Sequence, residues 1–286
     1  MDVSLRRRLL DVAHALPVLR VFESGSLLLH EEPDPGRVRR LLDAFRRDGV
    51  LRNPPIVAPM PDGAAAVLDG ANRVTALREA GVPHAVVQVV DYDRPEITLA
   101  SWRHYVGEEG RGALQDRLTD LPGIHASRLR VPAEAGERLA RREGAAAVID
   151  ARGGILLGAG GDPVVAAEML TRIVALYRDR DRIYRVEDGD DLDALAADYG
   201  PGSLVLFRPF AKNEILLIAG LGGRLPTGIT RHVIPGRALR VNAPLDWLAG
   251  PSDTAVKQAR LDASLRQRWL EHGVRHYAES TFLFDE

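Results

Sequence analysis

The run Leu68-Asp69-Gly70-Ala71-Asn72-Arg73-Val74-Thr75-Ala76-Leu77 decides how this chain folds. Ahead of it, Asp62-Gly63 is a turn signal and Ala64–Leu68 an apolar strand that ends at Asp69-Gly70. Behind the turn, Val74, Leu77 and Ala80 recur at helical spacing and Gly81 stands where a helix stops, which predicts a short helix over Asn72–Ala80. Ala85–Val90 then reads as a buried strand. Strand, turn, helix and strand within Ala64–Tyr92 form a compact α/β unit with its turn at a helix N-terminus.

Such a turn aims unsatisfied backbone N–H groups, and the positive end of the helix dipole, at whatever lies above it. It therefore suits an anion. Gly70 lets the backbone come close, Arg73 can offer a fork of donors to phosphate, and Asp69 can hold magnesium or orient a reacting group. The same residues also fit a plainer reading, with Asp69 as an N-cap and Arg73 as a surface charge.

Outward from this unit, Val38, Leu41, Leu42 and Phe45 mark a one-faced helix over Gly36–Asp48, stopped by Gly49. Pro54-Pro55 breaks it and leads into Ile56–Pro59, which pairs with Ala64–Leu68 as a hairpin. The charged stretch Arg111–Glu143, interrupted by Pro122-Gly123 and Pro132, is expected to cross between two domains with some helix in it, the second domain beginning near it. Past it, Ala145–Asp150 and Gly154–Leu157 suggest a second hairpin, and Asp162-Pro163 caps an amphipathic helix over Val164–Arg178. Further strands are expected at Ser203–Phe207, Ile215–Ala219 and Arg237–Val241, then a helix between Ser252 and His272 and a docked apolar end at Thr281–Phe284. Ser4–Leu16, with three consecutive arginines and no long apolar run, fits an amphipathic helix better than a signal peptide. The expected fold class is α/β (α+β): a nucleotide-binding domain over residues 1–108, a second α/β domain over 109–286, and a cleft between them.

The order of elements from His30 to Tyr92, with Asp48-Gly49-Val50, Pro55-Ile56-Val57 and then the turn, resembles the ParB N-terminal/sulfiredoxin-like superfamily. Within it the chain is most similar to the free-serine kinases, including the serine kinase of a siderophore pathway. His30-Glu31 precedes the first helix, Ser101-Trp102 follows the module, and Gly228-Ile229-Thr230-Arg231 with Gly236-Arg237 and Pro244-Leu245 looks like the C-terminal signature of those enzymes. The resemblance implies phosphoryl transfer from ADP or ATP, with Mg2+, to the hydroxyl of a free amino acid, serine favoured, giving O-phospho-L-serine. Asp69, Gly70, Ala71, Asn72, Arg73 and Thr75 would then lie on the nucleotide phosphates, with Asp69 also supporting magnesium and acting in catalysis. Glu31 would accept the hydroxyl proton, while Trp102, Thr230 and His232 shape the acceptor pocket and Arg231 pairs with the acceptor carboxylate. Because Glu31 and Glu32 are adjacent in an extended segment, only one of them can face a cleft. The chain departs from the family at Asn72, where histidine is usual; asparagine keeps a donor but no titratable ring. The alternative within the superfamily is a non-enzymatic, ParB-like regulator that uses nucleotide to switch a DNA or protein contact.

Composition narrows these readings. Across 286 residues, 38 Lys plus Arg stand against 40 Asp plus Glu, so the basic excess of a dedicated nucleic-acid binder is missing. The chain has no cysteine, which removes disulfides, thiolate zinc sites and sulfiredoxin chemistry together. No stretch approaches the roughly 20 apolar residues of a membrane span, and a cytoplasmic protein is expected. Gly158-Ala159-Gly160-Gly161 does not complete a dinucleotide-binding spacing, no P-loop run exists, and the eight histidines show no H-E-x-x-H spacing.

Overall fold

The computed structural model describes residues 16–108, 112–158, 161–187 and 189–277. The helix expected from Ser4 lies outside the described residues except for Leu16, and the end at Thr281–Phe284 lies wholly outside them, as do Ala159 and Gly160.

The first lobe contains β1 (Val18–Glu23), β2 (Leu27–Leu29), α1 (Pro35–Asp48), β3 (Val50–Leu51), β4 (Ile56–Pro59), β5 (Ala65–Asp69), α2 (Ala71–Glu79) and β6 (His84–Val89). Its five-stranded sheet runs β1-β6-β4-β5-β2. The expected hairpin is present, with β4 antiparallel to β5 and Ile56 opposite Asp69, while β2 runs parallel to β5. Strand β5 lies inside the sheet, which is why Ala65, Ala66, Val67 and Leu68 are all buried and the segment is uniformly apolar. Asp34 caps α1 by accepting the Arg37 N–H at 2.8 Å, Pro35 opens the first turn, and Gly49 ends it at φ 66°.

The second lobe is built from β7 (Thr98–Ser101), β8 (Arg103–Gly107), α3 (Leu114–Thr119), β9 (Ala126–Arg128), α4 (Ala135–Ala140), β10 (Ala146–Asp150), β11 (Gly153–Leu157) and α5 (Pro163–Ala175). It continues with β12 (Ile183–Val186), α6 (Leu192–Tyr199), β13 (Gly202–Phe207), α7 (Lys212–Gly220) and β14 (Thr230–Val233). Six of these strands form an antiparallel sheet in the order β12-β8-β13-β10-β11-β9. Finally β15 (Ala243–Pro244), α8 (Leu245–Ala249) and α9 (Thr254–Leu270) return to the first lobe. There β15 pairs with β3, and Val241, Ala243, Leu248 and Leu261 join the core of the first sheet.

Three differences from the sequence-based expectation have physical causes. Ile215–Ala219 lies in α7, because Glu214 reaches back to the Ala211 N–H at 2.8 Å and Ile215, Ile218 and Ala219 bury at helical spacing. Arg237–Val241 forms no strand, since Arg240 at φ 54° and neighbouring Asn242 at φ 50° turn the backbone left-handed. The stretch after Arg111 holds the expected helix, as α3 and α4, but it also supplies the edge strand β9 of the second sheet, so it is part of the second lobe and not a crossing. The sheets accordingly divide between Val89 and Arg103, ahead of residue 108, and the chain beyond Arg237 packs back on the first lobe.

One hydrophobic cluster runs through both lobes, joining Ile56, Ala58 and Leu68 of the first to Val106, Val148, Val205 and Ile229 of the second. Burial on this scale fixes the two walls of the cleft against each other.

Candidate active site

A cavity of about 830 Å³ opens between the lobes, reaching from the Asp69–Arg73 turn to Glu31, Trp102, Arg185 and Thr230. Its first wall is the predicted turn. Gly70, not Asp69, is the N-cap of α2, and it sits at φ 104° where an added Cβ would lie 3.0 Å from Pro55 and 3.1 Å from the Arg73 guanidinium. Glycine is required there on both counts. The Arg73 guanidinium donates to the Asn53 and Pro54 carbonyls at 3.0 and 2.9 Å and to Asp69 Oδ2 at 3.1 Å. Arg237, from the returning segment, donates to that same oxygen at 2.7 Å. Burial works to raise the Asp69 carboxyl, but Arg73 and Arg237 together overcome it and hold it below its ordinary value.

Asn72 links two helix starts, because its side-chain oxygen accepts the Asp34 N–H at 2.7 Å. The amide NH2 is the end left for a ligand. Thr75 turns inward instead: its hydroxyl donates to the Ala71 carbonyl at 2.9 Å, and it does not line the cavity.

Opposite stands Glu31. An isolated bridge between Glu31 and Leu225, with the Leu225 N–H donating to the His30 carbonyl at 2.7 Å, fixes the segment after β2 against the second lobe. Glu31 Oε1 then accepts from the Thr230 N–H at 3.1 Å and the Thr230 hydroxyl at 2.6 Å. Glu32 lines the same cavity, contrary to the expectation that only one of the pair faces it, and its carboxylate is held by Arg178 at 2.6 Å.

His30 is buried behind this pair. Its Nδ1 faces the Val67 carbonyl at 2.7 Å and must carry a hydrogen, while its Nε2 lies 3.0 Å from the Thr230 hydroxyl. Two short contacts flank the Thr230 oxygen, and the hydroxyl owns only one proton. His232 packs edge-on to His30 at 5.2 Å, and its Nε2 meets the Tyr92 hydroxyl at 2.7 Å. Burial first, then the neighbouring His30, push His232 down to about 3, so it stays neutral.

Trp102 and Arg231 form a stacked pair, with the guanidinium 4.6 Å from the indole centre and 2.5 Å from Glu187. The cleft thus brings together every expected residue except Thr75. Among the other residues that line it are Arg237, quoted in the C-terminal signature without a role, and Arg185, which stands in no motif. For magnesium, no cluster of three or more His, Asp or Glu side chains suited to a metal exists among the described residues, and one Asp69 oxygen already serves two guanidiniums. The residues present fit the ion only as a companion of nucleotide phosphates with a single protein carboxylate, a common arrangement for Mg2+.

Fold and cleft define a two-lobed α/β protein. No protein-family model matches the chain. The ATP-dependent L-serine kinase of Staphylothermus marinus is 26% identical to it over 257 residues, spanning 86% of this chain and 96% of that one. Among solved structures, SbnI with a C-terminal truncation from Staphylococcus aureus superposes with a TM-score of 0.69 at 21% identity, covering 90% of this chain and 97% of that one. A free serine kinase in complex with AMP gives 0.68 at 17% identity, covering 82% and 94%. The chain is a homologue of the ATP-dependent L-serine kinases and shares their fold.

Proposed function

We propose that this protein transfers the terminal phosphoryl group of ATP to the hydroxyl of free L-serine, giving O-phospho-L-serine and ADP. The observation that carries this reading is Glu31, held by the Thr230 N–H and hydroxyl at 3.1 and 2.6 Å on the wall facing the glycine turn. In phosphoryl transfer the protein mainly positions the partners and neutralises charge. Backbone N–H groups of the Gly70 turn, the start of α2, the Asn72 amide and Arg73 would hold the phosphates. The serine oxygen forms a bond to the γ-phosphorus as the bond to the bridging oxygen breaks. ADP leaves with that electron pair, and Glu31 takes the hydroxyl proton. Magnesium, when carried on the phosphates, would neutralise their charge beside Asp69. Trp102 and His232 would form the walls of the acceptor pocket.

The names of the curated relatives favour turnover over the regulator reading, and ATP over ADP. No helix among the described residues is long and apolar enough to cross a membrane. We assign the activity to the cytoplasm, where both substrates occur. The test is to incubate the protein with magnesium, ATP or ADP, and a panel of free amino acids, and to read phosphorylated products by mass spectrometry. Phosphoserine formed from ATP is the expected product; no phosphorylated amino acid from any combination overturns the reading.

A further inference from the structure

Serine carries its hydroxyl and its carboxylate on neighbouring carbons, so an acceptor whose hydroxyl meets Glu31 must find a cation for its carboxylate close by. Arg231 is poorly available for this, being engaged by Glu187 and Trp102. Arg73 and Arg237 are both held by Asp69 on the nucleotide wall. Arg185 is different. It stands on the edge strand β12, opposite His104 of β8, and its guanidinium opens into the same cavity as Glu31 and Trp102. Among the described residues its guanidinium has neither an ion-pair partner nor a hydrogen bond.

The place for it is built. Gly228, at φ 82°, lies directly under the guanidinium, and a Cβ on that residue would overlap Arg185. The Gly228 carbonyl is in turn held by His104 Nε2 at 3.2 Å, and His104 Nδ1 by the Tyr177 hydroxyl at 2.9 Å. Both supporting side chains are buried. Across the cleft the first turn of α1 presents Arg37; burial first, then the repulsion of Arg37, hold the Arg185 guanidinium below its ordinary value against the pull of Glu31 and Asp34. Two cations facing each other beside Glu31, with no ion-pair partner for Arg185, describe a site completed by a small anion.

We propose that Arg185, seated on Gly228, binds the carboxylate of the amino-acid acceptor and selects α-amino acids over simple alcohols. This assignment rests on the kinase reading above. The nucleotide's own charges are met on the opposite wall, which leaves the acceptor as the source of the anion here.

The experiment compares L-serine with L-serinamide, whose carboxylate is replaced by a neutral amide, in the parent, Arg185→Met and Arg185→Lys. Turnover is read with ATP and magnesium, and acceptor binding by calorimetry in the presence of ADP. Arg185→Met is expected to lower kcat/KM and affinity for serine about 10- to 100-fold, the usual worth of a charge-assisted contact. Serinamide should fall far less, so that the preference for serine collapses, and Arg185→Lys should lie between the two. Unchanged ADP affinity shows that the variants are folded. An equal fall for serine and serinamide would mean that Arg185 serves the transferred phosphoryl group, and no fall for either would mean that it is idle; both overturn the proposal. A parent that binds serine in preference to serinamide without phosphorylating it would defeat the kinase reading and leave the Arg185 assignment standing.

Discussion

The two walls of the cleft handle charge in opposite ways. On the first lobe Asp69, Arg73 and Arg237 are locked to one another, and Asn72 ties the start of α2 to the cap of α1. That wall needs no ligand to be in order, as a preorganised phosphate site should be. On the second lobe Arg185 faces Arg37 with no partner, beside a Glu31 oriented by Thr230. The first wall is complete and the second waits for the acceptor. Substitutions on the two sides should therefore separate into those that act on nucleotide and those that act on serine or on the chemical step.

Glu31→Gln tests the division most severely. A base that acts as the proton leaves matters for kcat and little for ground-state binding, so kcat should fall about 10²- to 10⁴-fold with ADP affinity kept. Glu32→Gln is the control; because Glu32 pairs with Arg178, it should lose at most about 1 kcal/mol of stability and keep its kcat. Equal rates for Glu31→Gln and the parent, in steady-state assays, would remove the base from the mechanism.

On the nucleotide wall, Arg73→Ala should weaken ATP binding about 10- to 100-fold, the share of charge-assisted bonds to phosphate. Adenosine, which has no phosphate, should bind with almost the parent's affinity. If calorimetry finds both weakened alike, Arg73 supports the Asn53–Pro54 loop and nothing more. A smaller effect is expected at Thr230. Thr230→Val removes the hydroxyl between His30 and Glu31 and should reduce kcat by about 10-fold, with a changed pH–rate profile, whereas Thr230→Ser should restore both. An effect confined to the serine KM would return Thr230 to a role in shaping the pocket.

The same contrast explains what the sequence could reveal. The first wall is local: a strand, a glycine and a helix within ten residues, whose periodicities change at Asp69-Gly70, and the structure keeps that order. Glu31 was legible through His30-Glu31, but its geometry depends on Thr230, 199 positions away. Arg185 was not legible, since it is one arginine in a short strand, and what distinguishes it is a glycine over 40 positions away brought beneath it by a loop of the same lobe. Thr75 erred the other way. Its spacing fits the motif, but a hydroxyl one turn along a helix finds the Ala71 carbonyl first.

The walls should also differ in acid. Beneath Arg185, His104 is driven down to about 4, by burial first and then by the nearby Arg185 and Arg178, against the opposing pull of the Gly228 carbonyl. A histidine whose folded value lies below its unfolded 6.5 takes up a proton on unfolding throughout the interval between them. Its contribution to stability is thus intact above pH 6.5 and is lost as pH falls toward 4. His232, driven down to about 3, adds a second proton over the same range. Asp69 has the opposite dependence in position: held below 3.8 by its two arginines, it keeps its contribution until pH falls under that value. Urea denaturation from pH 7 to pH 4.5 should accordingly show stability falling, below pH 6.5, by about 1.4 kcal/mol per pH unit for each of His104 and His232. His104→Gln should remove one proton's worth of that slope, while Asp69→Asn should leave the slope in this range unchanged. A slope unaltered by His104→Gln would mean that His104 is protonated in the folded protein, and that the seat of Arg185 is held by some other bond than a neutral imidazole donating to Gly228.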